Sequence, residues 1–245
     1  MLIDVLSEEH LAKAGALLAR QAAKGPVFTV GSSGVEYALT RHWGFGEASA
    51  SAAFAGAGEV ERLLAVSGSC SPVTEQQIRW ALDRGFRGVA MSAERLVEAP
   101  EATEAAALEA AGVLLRQGHN VIVYTALGSD DPSIGRTKAL LAARETESRD
   151  TGRLIGRSMG RLARRLQREF GLNRLAVAGG DTSGYVAQEL GIYALEMIAP
   201  LAPGGPLCRC SSEHADVDGL EIALKGGQVG KADFFECLRL GRAMQ

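Results

Sequence analysis

The chain is poor in aromatic residues and cysteine, and it has no long apolar run. Aromatic residues make up 5% of its 245 residues, and its four cysteines lack the regular spacing of a disulfide framework. No apolar stretch approaches the roughly 20 residues needed to span a bilayer. The first fifteen residues contain neither the basic segment nor the long apolar segment of a signal peptide. We therefore expect a reduced, cytoplasmic protein with no membrane partner.

The sequence also lacks an excess of basic residues. Its formal net charge of -3 at pH 7 argues against a dedicated nucleic-acid-binding protein. Six arginines and no acidic residue lie between Arg153 and Arg168, but like-charged runs of this kind are most often solvated helix faces. We therefore expect no nucleic-acid partner.

The two commonest phosphate-binding motifs are absent as well. No loop matches the P-loop pattern G-x-x-x-x-G-K-[ST], and none matches the dinucleotide fingerprint G-x-G-x-x-G. A Rossmann-type oxidoreductase is therefore disfavoured. Any phosphate site in this chain must be of another kind.

Short apolar runs alternate with helical patterns along the whole chain. The predicted strands are Val27–Val30, Leu63–Val66, Gly88–Met91, Asn120–Thr125, Arg174–Ala178, Ala194–Ile198 and Gly219–Leu224. The predicted helices are Glu8–Ala23, Val35–Trp43, Thr74–Arg84, Glu101–Gln117, Gly152–Phe170, Ser183–Leu190 and Asp233–Arg242. This alternation predicts an α/β fold, a Rossmann-like three-layer sandwich with a mostly parallel sheet and helices on both faces. Ligands of such sheets bind at the carboxyl ends of the strands.

One segment, residues 128–150, mixes turn residues with a short helical pattern at Thr137–Arg144. It follows the end of a predicted strand. Two interpretations fit it equally well, a mobile flap beside a site and a solvated connection.

Four glycine-containing loops follow predicted strands: "TVGSSGVEYAL", "AVSGSCSPVTEQQI", "LAVAGGDTSGYVAQELG" and "EIALKGGQVGKADFF". In the second loop, Pro72 suits the first turn of a helix, and Thr74 with Gln77 forms a capping-box pattern. Glycine lets the backbone approach a ligand, and the N–H groups at a helix N-terminus favour an anion. The loop is a plausible phosphate cradle, although a tight strand-to-helix turn needs glycine and serine in any case.

The third loop carries more polar groups than a helix start requires. Asp181 or Thr182 could serve as the N-cap of the following helix, yet Ser183 is present too, behind two glycines. This surplus indicates a ligand. A carboxylate at a helix N-terminus is also well placed to hold Mg²⁺ or to accept a proton. In the fourth loop, Lys225 could neutralise a phosphate at the strand end, although such a lysine is more often a surface residue.

Taken in order, "VSGSCSPVTEQQI", "AGGDTSG", "APLAPGGPLC" and "LKGGQVGKADFF" resemble the carboxyl-terminal, nucleotide-binding half of the four-carbon acid sugar kinases. The resemblance implies an ATP- and Mg²⁺-dependent kinase acting on acids of the erythronate or threonate type. It also implies that residues 1–60 close a substrate domain and that residues 61–245 form the nucleotide-binding domain.

The resemblance also assigns roles to the loops. The implied ATP-binding residues are Ser67, Gly68, Ser69, Ser71, Gly179, Gly180, Asp181, Thr182, Gly226 and Gly227. Asp181 is expected to be the metal ligand, and Asp181 and Lys225 the catalytic residues. The expected partners are ATP and a sugar acid, with a homo-oligomer or a complementary substrate-domain chain as further partners.

The sequence departs from the family in two places. Where the fourth motif usually carries serine, asparagine and phenylalanine, this chain has Gly226, Gln228 and Val229. The aspartate-rich motif D-D-x-T-G-A of the substrate domain is absent, because the pair Asp130–Asp131 is followed by proline and serine. The alternative interpretation is therefore a non-catalytic nucleotide-binding module, or one chain of a split kinase that is inactive alone.

Overall fold

The computed structural model describes residues 2–45, 57–143 and 148–242. The chain divides into two compact units, Met1–Ala53 and Phe54–Gln245. Each unit is described by itself below.

The first unit contains two packed helices, α1 (Glu8–Ala22) and α2 (Gly34–His42). The Ser7 side chain caps α1 by accepting a hydrogen bond from the His10 N–H. Gly15 of α1 lies directly against the backbone carbonyl of Ala38, so the two helices approach more closely than a larger residue would allow.

The predicted strand Val27–Val30 does not form. The segment has no regular secondary structure, no strand among the described residues pairs with it, and a strand needs a hydrogen-bonded neighbour to be stable. Its apolar side chains are uncovered, since Phe28 is 93% and Val30 89% exposed. The prediction from apolar pattern alone was wrong at this point.

The second unit contains a seven-stranded sheet in the order β2-β3-β1-β4-β7-β6-β5. The strands are β1 (Leu64–Ser67), β2 (Arg87–Ala90), β3 (Val121–Tyr124), β4 (Arg174–Ala178), β5 (Ile192–Ala199), β6 (Leu207–Ser212) and β7 (Glu221–Lys225). The first five strands in this order run parallel. Strand β6 pairs antiparallel with β7, and β5 pairs antiparallel with β6. The central strands β1 and β4 are buried on both faces, as their continuous apolar sequences predict.

Helices cover both faces of the sheet. They are α3 (Pro72–Leu82), α4 (Ala93–Glu98), α5 (Pro100–Arg116), α6 (Pro132–Ala143), α7 (Ser148–Phe170), α8 (Gly180–Glu189) and α9 (Phe234–Leu240). One core joins α5, α7 and α8 to the sheet, and the other joins α3 and α9 to the opposite face. The predicted three-layer α/β fold with a mostly parallel sheet is confirmed.

Most element bounds differ from the prediction by a few residues, and some elements differ by more. Strand β6 and the short helix α4 were missed, and α8 begins at Gly180, three residues before its predicted start. The described part of segment 128–150 is largely helical, being occupied by α6 and by the beginning of α7, with 144–147 outside the described residues. The mobile flap and the solvated connection both stay predictions.

Two glycines of α7 let α8 pack very closely. A Cβ added at Gly156 would lie 2.6 Å from Cδ2 of Tyr185, and one at Gly160 would lie 2.6 Å from Cβ of Glu189. Small residues four apart on one helix face allow this close approach of two backbones. The contact fixes the position of α8, whose first turn faces the strand ends.

Candidate functional site

The loops that the sequence singled out follow neighbouring strands of the sheet. In the register of the parallel strands, Ser67 pairs with Ala178, and Ala178 pairs with Lys225. The loops continue this contact beyond the strands, because the Gly68 N–H donates to the Ala178 carbonyl at 3.2 Å. The Gly179 N–H likewise donates to the Lys225 carbonyl at 3.0 Å. Three loops therefore leave the same edge of the sheet side by side.

Glycines allow these three loops to touch. A Cβ at Gly68 would overlap Oγ1 of Thr182, and a Cβ at Gly179 would lie 3.0 Å from that same oxygen. A Cβ at Gly227 would lie 2.6 Å from Oγ of Ser69. We call residues 67–71, 179–182 and 225–228 together the strand-end hollow. The fourth glycine loop, residues 29–34, belongs to the other compact unit.

Helix α8 begins in the hollow without a cap. Its N-cap residue is Gly179, whose φ of 116° favours glycine, and no side chain accepts a hydrogen bond from the first turn. The N–H groups of Gly180, Asp181 and Thr182 have no partner among the described residues. Asp181 and Thr182 thus belong to the helix itself, and neither is the N-cap that the sequence suggested. Free amides at a helix N-terminus form a site for an anion.

The serines of the first loop already accept hydrogen bonds within it. Oγ of Ser71 caps α3 by accepting from the Val73 N–H at 3.2 Å. Oγ of Ser69 accepts from the Ser71 N–H at 3.2 Å, and Oγ of Ser67 from the Ser69 N–H at 3.4 Å. These accepted hydrogen bonds therefore shape the loop. Each serine hydroxyl can still donate its hydrogen to a ligand.

The capping box predicted for α3 is not formed. Oγ1 of Thr74 donates to the Gly227 carbonyl at 2.8 Å, and Nε2 of Gln77 donates to the Val229 carbonyl at 2.9 Å. Both side chains are fully buried. They join α3 to the loop after β7, a role that no local pattern indicates because the partners lie about 150 residues away along the chain.

Lys225 lies beneath the hollow. It is 1% exposed, and its Nζ donates to Oγ1 of Thr74 and to the Gly226 carbonyl, both at 3.0 Å. The Phe234 ring centroid lies 5.6 Å from Nζ. Burial disfavours the charged ammonium and lowers the pKa of Lys225 to about 8. The ammonium group thus contacts the loops from inside the protein.

Asp181 points away from the core, with an exposed side chain in the first turn of α8. Among the residues that the structure describes, no cluster of three His, Cys, Asp or Glu side chains could hold a metal ion. Mg²⁺ is commonly held by one or two carboxylates together with the phosphates of a nucleotide. Asp181 fits the role of a single protein ligand of this kind.

The loop between β5 and β6 packs against the loop after β7. A Cβ at Gly205 would lie 3.1 Å from Cγ1 of Val229 and 3.2 Å from Cε2 of Phe234. A cavity of about 350 Å³ lies next to this contact, lined by residues 201–203, 228–231, 233–234 and 237. The "APLAPGGPLC" and "LKGGQVGKADFF" motifs therefore lie against each other and line a cavity that includes Gln228, the last residue of the hollow.

A family model described as a nucleotide-binding C-terminal domain matches residues 64–235, which include the whole hollow. The chain belongs to this family. The resemblance to the four-carbon acid sugar kinases is confirmed by two curated relatives. A 3-oxo-isoapionate kinase of Paraburkholderia graminis is 44% identical over 99% of this chain and 52% of its own length. A 3-oxo-tetronate kinase of Pectobacterium atrosepticum is 28% identical over 96% of this chain and 52% of its own length.

The chain spans about half the length of these two relatives. A solved structure of a Haemophilus influenzae protein superposes with a TM-score of 0.60, at 21% identity, over 95% of this chain and 51% of that one. This likeness supports the fold. Among the described residues, no helix combines the length and apolar character that crossing a bilayer requires.

Proposed function

We propose that this chain is the ATP-binding part of a kinase that phosphorylates a four-carbon sugar acid. The observation that carries the proposal is the strand-end hollow, where three loops meet around N–H groups that have no partner among the described residues. The names of the two curated relatives support an acceptor of the 3-oxo-tetronate or 3-oxo-isoapionate type. ATP and Mg²⁺ are the proposed cofactors.

The proposed roles follow from the geometry of the hollow. The amides of Gly180 and Thr182 would bind phosphate oxygens, with Gly68, Ser69 and Gly227 bordering the same space. Phosphoryl transfer depends mainly on positioning and on neutralising charge, which such amides supply. Ser67, Ser71, Gly179 and Gly226 also shape the loops, and their contact with ATP stays a prediction.

Asp181 is proposed as the metal ligand. A carboxylate beside bound phosphates is repelled unless a cation lies between them, and Mg²⁺ bound to the phosphates would fill that place. When bound, Mg²⁺ would neutralise the charge that the phosphate oxygens carry. Asp181 would hold the metal, or it would accept the proton of the attacking hydroxyl.

Calorimetry with Mg·ATP and Mg·ADP tests the nucleotide site. We expect saturable binding below the millimolar range. If neither nucleotide gives a binding heat at millimolar concentration, the proposed site is rejected. Phosphorylation assays with four-carbon sugar acids, including 3-oxo acids, then test the substrate class.

A second candidate function is a nucleotide-binding chain of a split kinase, inactive without a substrate-domain chain. The first unit favours it, because Leu2, Leu6, Phe28 and Val30 are each at least 87% exposed. Solitary exposed apolar residues are ordinary, but four on two segments without regular secondary structure suit a strand-forming partner. On this proposal residues 1–60 belong to the substrate domain and residues 61–245 to the nucleotide domain.

Turnover by the chain alone separates the two candidates. ATP consumption that depends on a sugar acid would remove the second. Nucleotide binding without turnover would favour it, and an added substrate domain should then restore activity. We also propose a cytoplasmic location, since no disulfide bond occurs among the described residues, as is usual in reducing compartments.

A further inference from the structure

We propose that buried Lys225 and Thr74 turn two backbone N–H groups, those of Gly227 and Gln228, outward to bind a phosphate of the nucleotide. The inference rests on the proposed function and assigns Lys225 and Thr74 as positioning residues. It adds a backbone group, the Gln228 amide, that the sequence motif does not indicate.

The hydrogen bonds run in one direction through this network. Nζ of Lys225 donates to the Gly226 carbonyl and to Oγ1 of Thr74, each at 3.0 Å. The Thr74 hydroxyl in turn donates its hydrogen to the Gly227 carbonyl at 2.8 Å. Two consecutive carbonyls are thus held by buried side chains.

Because a trans peptide group is planar, the directions of these two carbonyls also fix the directions of two backbone N–H groups. The described chain has no cis peptide bond, so each N–H points opposite to the carbonyl of the same planar peptide group. With the Gly226 carbonyl directed at a buried ammonium, the Gly227 N–H points away from it. With the Gly227 carbonyl directed at Thr74, the Gln228 N–H likewise points away.

Both amides are free to bind a ligand. The Val229 N–H donates to the Gly226 carbonyl at 3.2 Å, which closes a turn whose two central residues are Gly227 and Gln228. Neither central N–H has a partner among the described residues. Successive outward N–H groups in a turn form a concavity for an anion. Gly227 also borders the first loop, since a Cβ there would lie 3.0 Å from Cβ of Ser71.

The buried charge adds to this arrangement. No ion pair of Lys225 with a carboxylate occurs among the described residues, so its charge is not cancelled locally. A bound phosphate would supply the missing negative charge across the peptide groups. Because the contact to the phosphate is made by backbone, the side chains at positions 228 and 229 can differ from the family pattern without removing it.

A pair of threonine variants tests the positioning role. Thr74→Val removes the hydroxyl with little change in shape. Thr103→Val is the matched control, because Thr103 also lies in the first turn of a proline-initiated helix, α5, and its Oγ1 donates to the Ala99 carbonyl. We expect Thr74→Val to weaken binding of tripolyphosphate and Mg·ADP about three- to tenfold, the effect of one hydrogen bond. Thr103→Val should stay within about twofold of wild type on the same reasoning.

Amide NMR gives a readout that general destabilisation would not produce. In wild type, tripolyphosphate should shift the Gly227 and Gln228 N–H signals downfield, and Thr74→Val should reduce those shifts while the Gly180 shift persists. Lys225→Met should lose at least about tenfold in affinity, consistent with losing a charged donor, and Lys225→Arg should recover part of it.

Two results would overturn the inference. One is wild-type affinity in Thr74→Val. The other is unchanged Gly227 and Gln228 signals when tripolyphosphate binds wild type. The second result, together with a shift at Gly180, would leave the proposed nucleotide site intact. Absence of any tripolyphosphate binding, by contrast, would count against the proposed function itself.

Discussion

Gly227 packs so closely against Ser69 that a Cβ on the glycine would lie 2.6 Å from the serine Oγ. We expect Gly227→Ala to push the loops after β1 and β7 apart and to destabilise the protein by about 1–3 kcal/mol, as overpacking does. Nucleotide affinity should fall with it. Urea unfolding and calorimetry measure the two effects.

The neighbouring glycine provides the control. A Cβ at Gly226 would make an ordinary contact, 3.5 Å from Cγ2 of Val229. Gly226→Ala should therefore cost less than about 1 kcal/mol. Equal destabilisation by the two alanines would contradict the close loop contact.

Asp181 should matter only when the metal is present. We expect Asp181→Asn to bind ATP in EDTA at least as well as wild type, since a negative charge beside the phosphates is gone. With Mg²⁺, the variant should lose the gain in affinity that wild type shows. Asp130→Asn, at another exposed aspartate, should behave as wild type. A full Mg²⁺ response in Asp181→Asn would remove Asp181 as the metal ligand.

Nucleotide binding should weaken at alkaline pH because of Lys225. Its pKa of about 8 means that the free protein loses this charge as the pH rises through 8. The affinity for Mg·ADP should then fall by up to about tenfold per pH unit above 8. The nearest helices carry Glu75 and Glu236, which are ion-paired with arginines of their own helices. Binding by Lys225→Met should be independent of pH from 7 to 9.5, and a parallel decline in both proteins would exclude this cause.

Stability should show the opposite trend with pH. The pKa of Lys225 falls from 10.5 to about 8 on folding, so the unfolded chain binds more protons between these values. The contribution of Lys225 to the free energy of unfolding therefore rises as the pH increases through that window. Urea denaturation at pH 7.5 and 10 should show this gain in wild type, and a smaller gain in Lys225→Met. The same gain in both proteins would assign the effect to other groups.

The opposite end of the sheet should carry a large share of the stability. Arg174 is 1% exposed, and its Nε donates to Oε2 of Glu221 at 2.7 Å. Its Nη1 donates to the Leu238 carbonyl at 2.7 Å, which ties the end of α9 to β4. Arg174→Met leaves Glu221 and these carbonyls without their donor, and we expect a loss of about 3–5 kcal/mol. Arg165→Met, at an exposed arginine of α7, should cost under about 0.5 kcal/mol in the same denaturation assay.

Much of the fold could be predicted because its central strands are mainly apolar. "LAVS" and "RLAVA" are buried on both faces, and such runs between helical patterns indicate a parallel sheet. Strand β6, "LCRCSS", escaped prediction because polar and charged residues interrupt its apolar pattern. Conversely, Val27–Val30 has a strand-like sequence, but pairing depends on a neighbour that local sequence does not reveal.

The glycine loops of the candidate site could be predicted from the sequence. Gly68, Gly179 and Gly227 mark the loops, and the order of parallel strands brings them to one edge. The roles of Thr74 and Gln77 could not be predicted, because a capping box and a bond to a distant loop use the same residue types. The burial of Lys225 was equally hidden, since a lysine at a strand end is usually solvated.

The strand-end hollow is formed by three segments that lie far apart in the sequence, residues 67–71, 179–182 and 225–228. During synthesis the hollow can form only after residues 225–228 have left the ribosome. Contacts between segments so remote in sequence also form slowly once the chain is free. Nucleotide added to a translating ribosome should therefore leave the nascent chain unaffected until residues 225–228 have emerged, and should protect the folded protein against proteolysis.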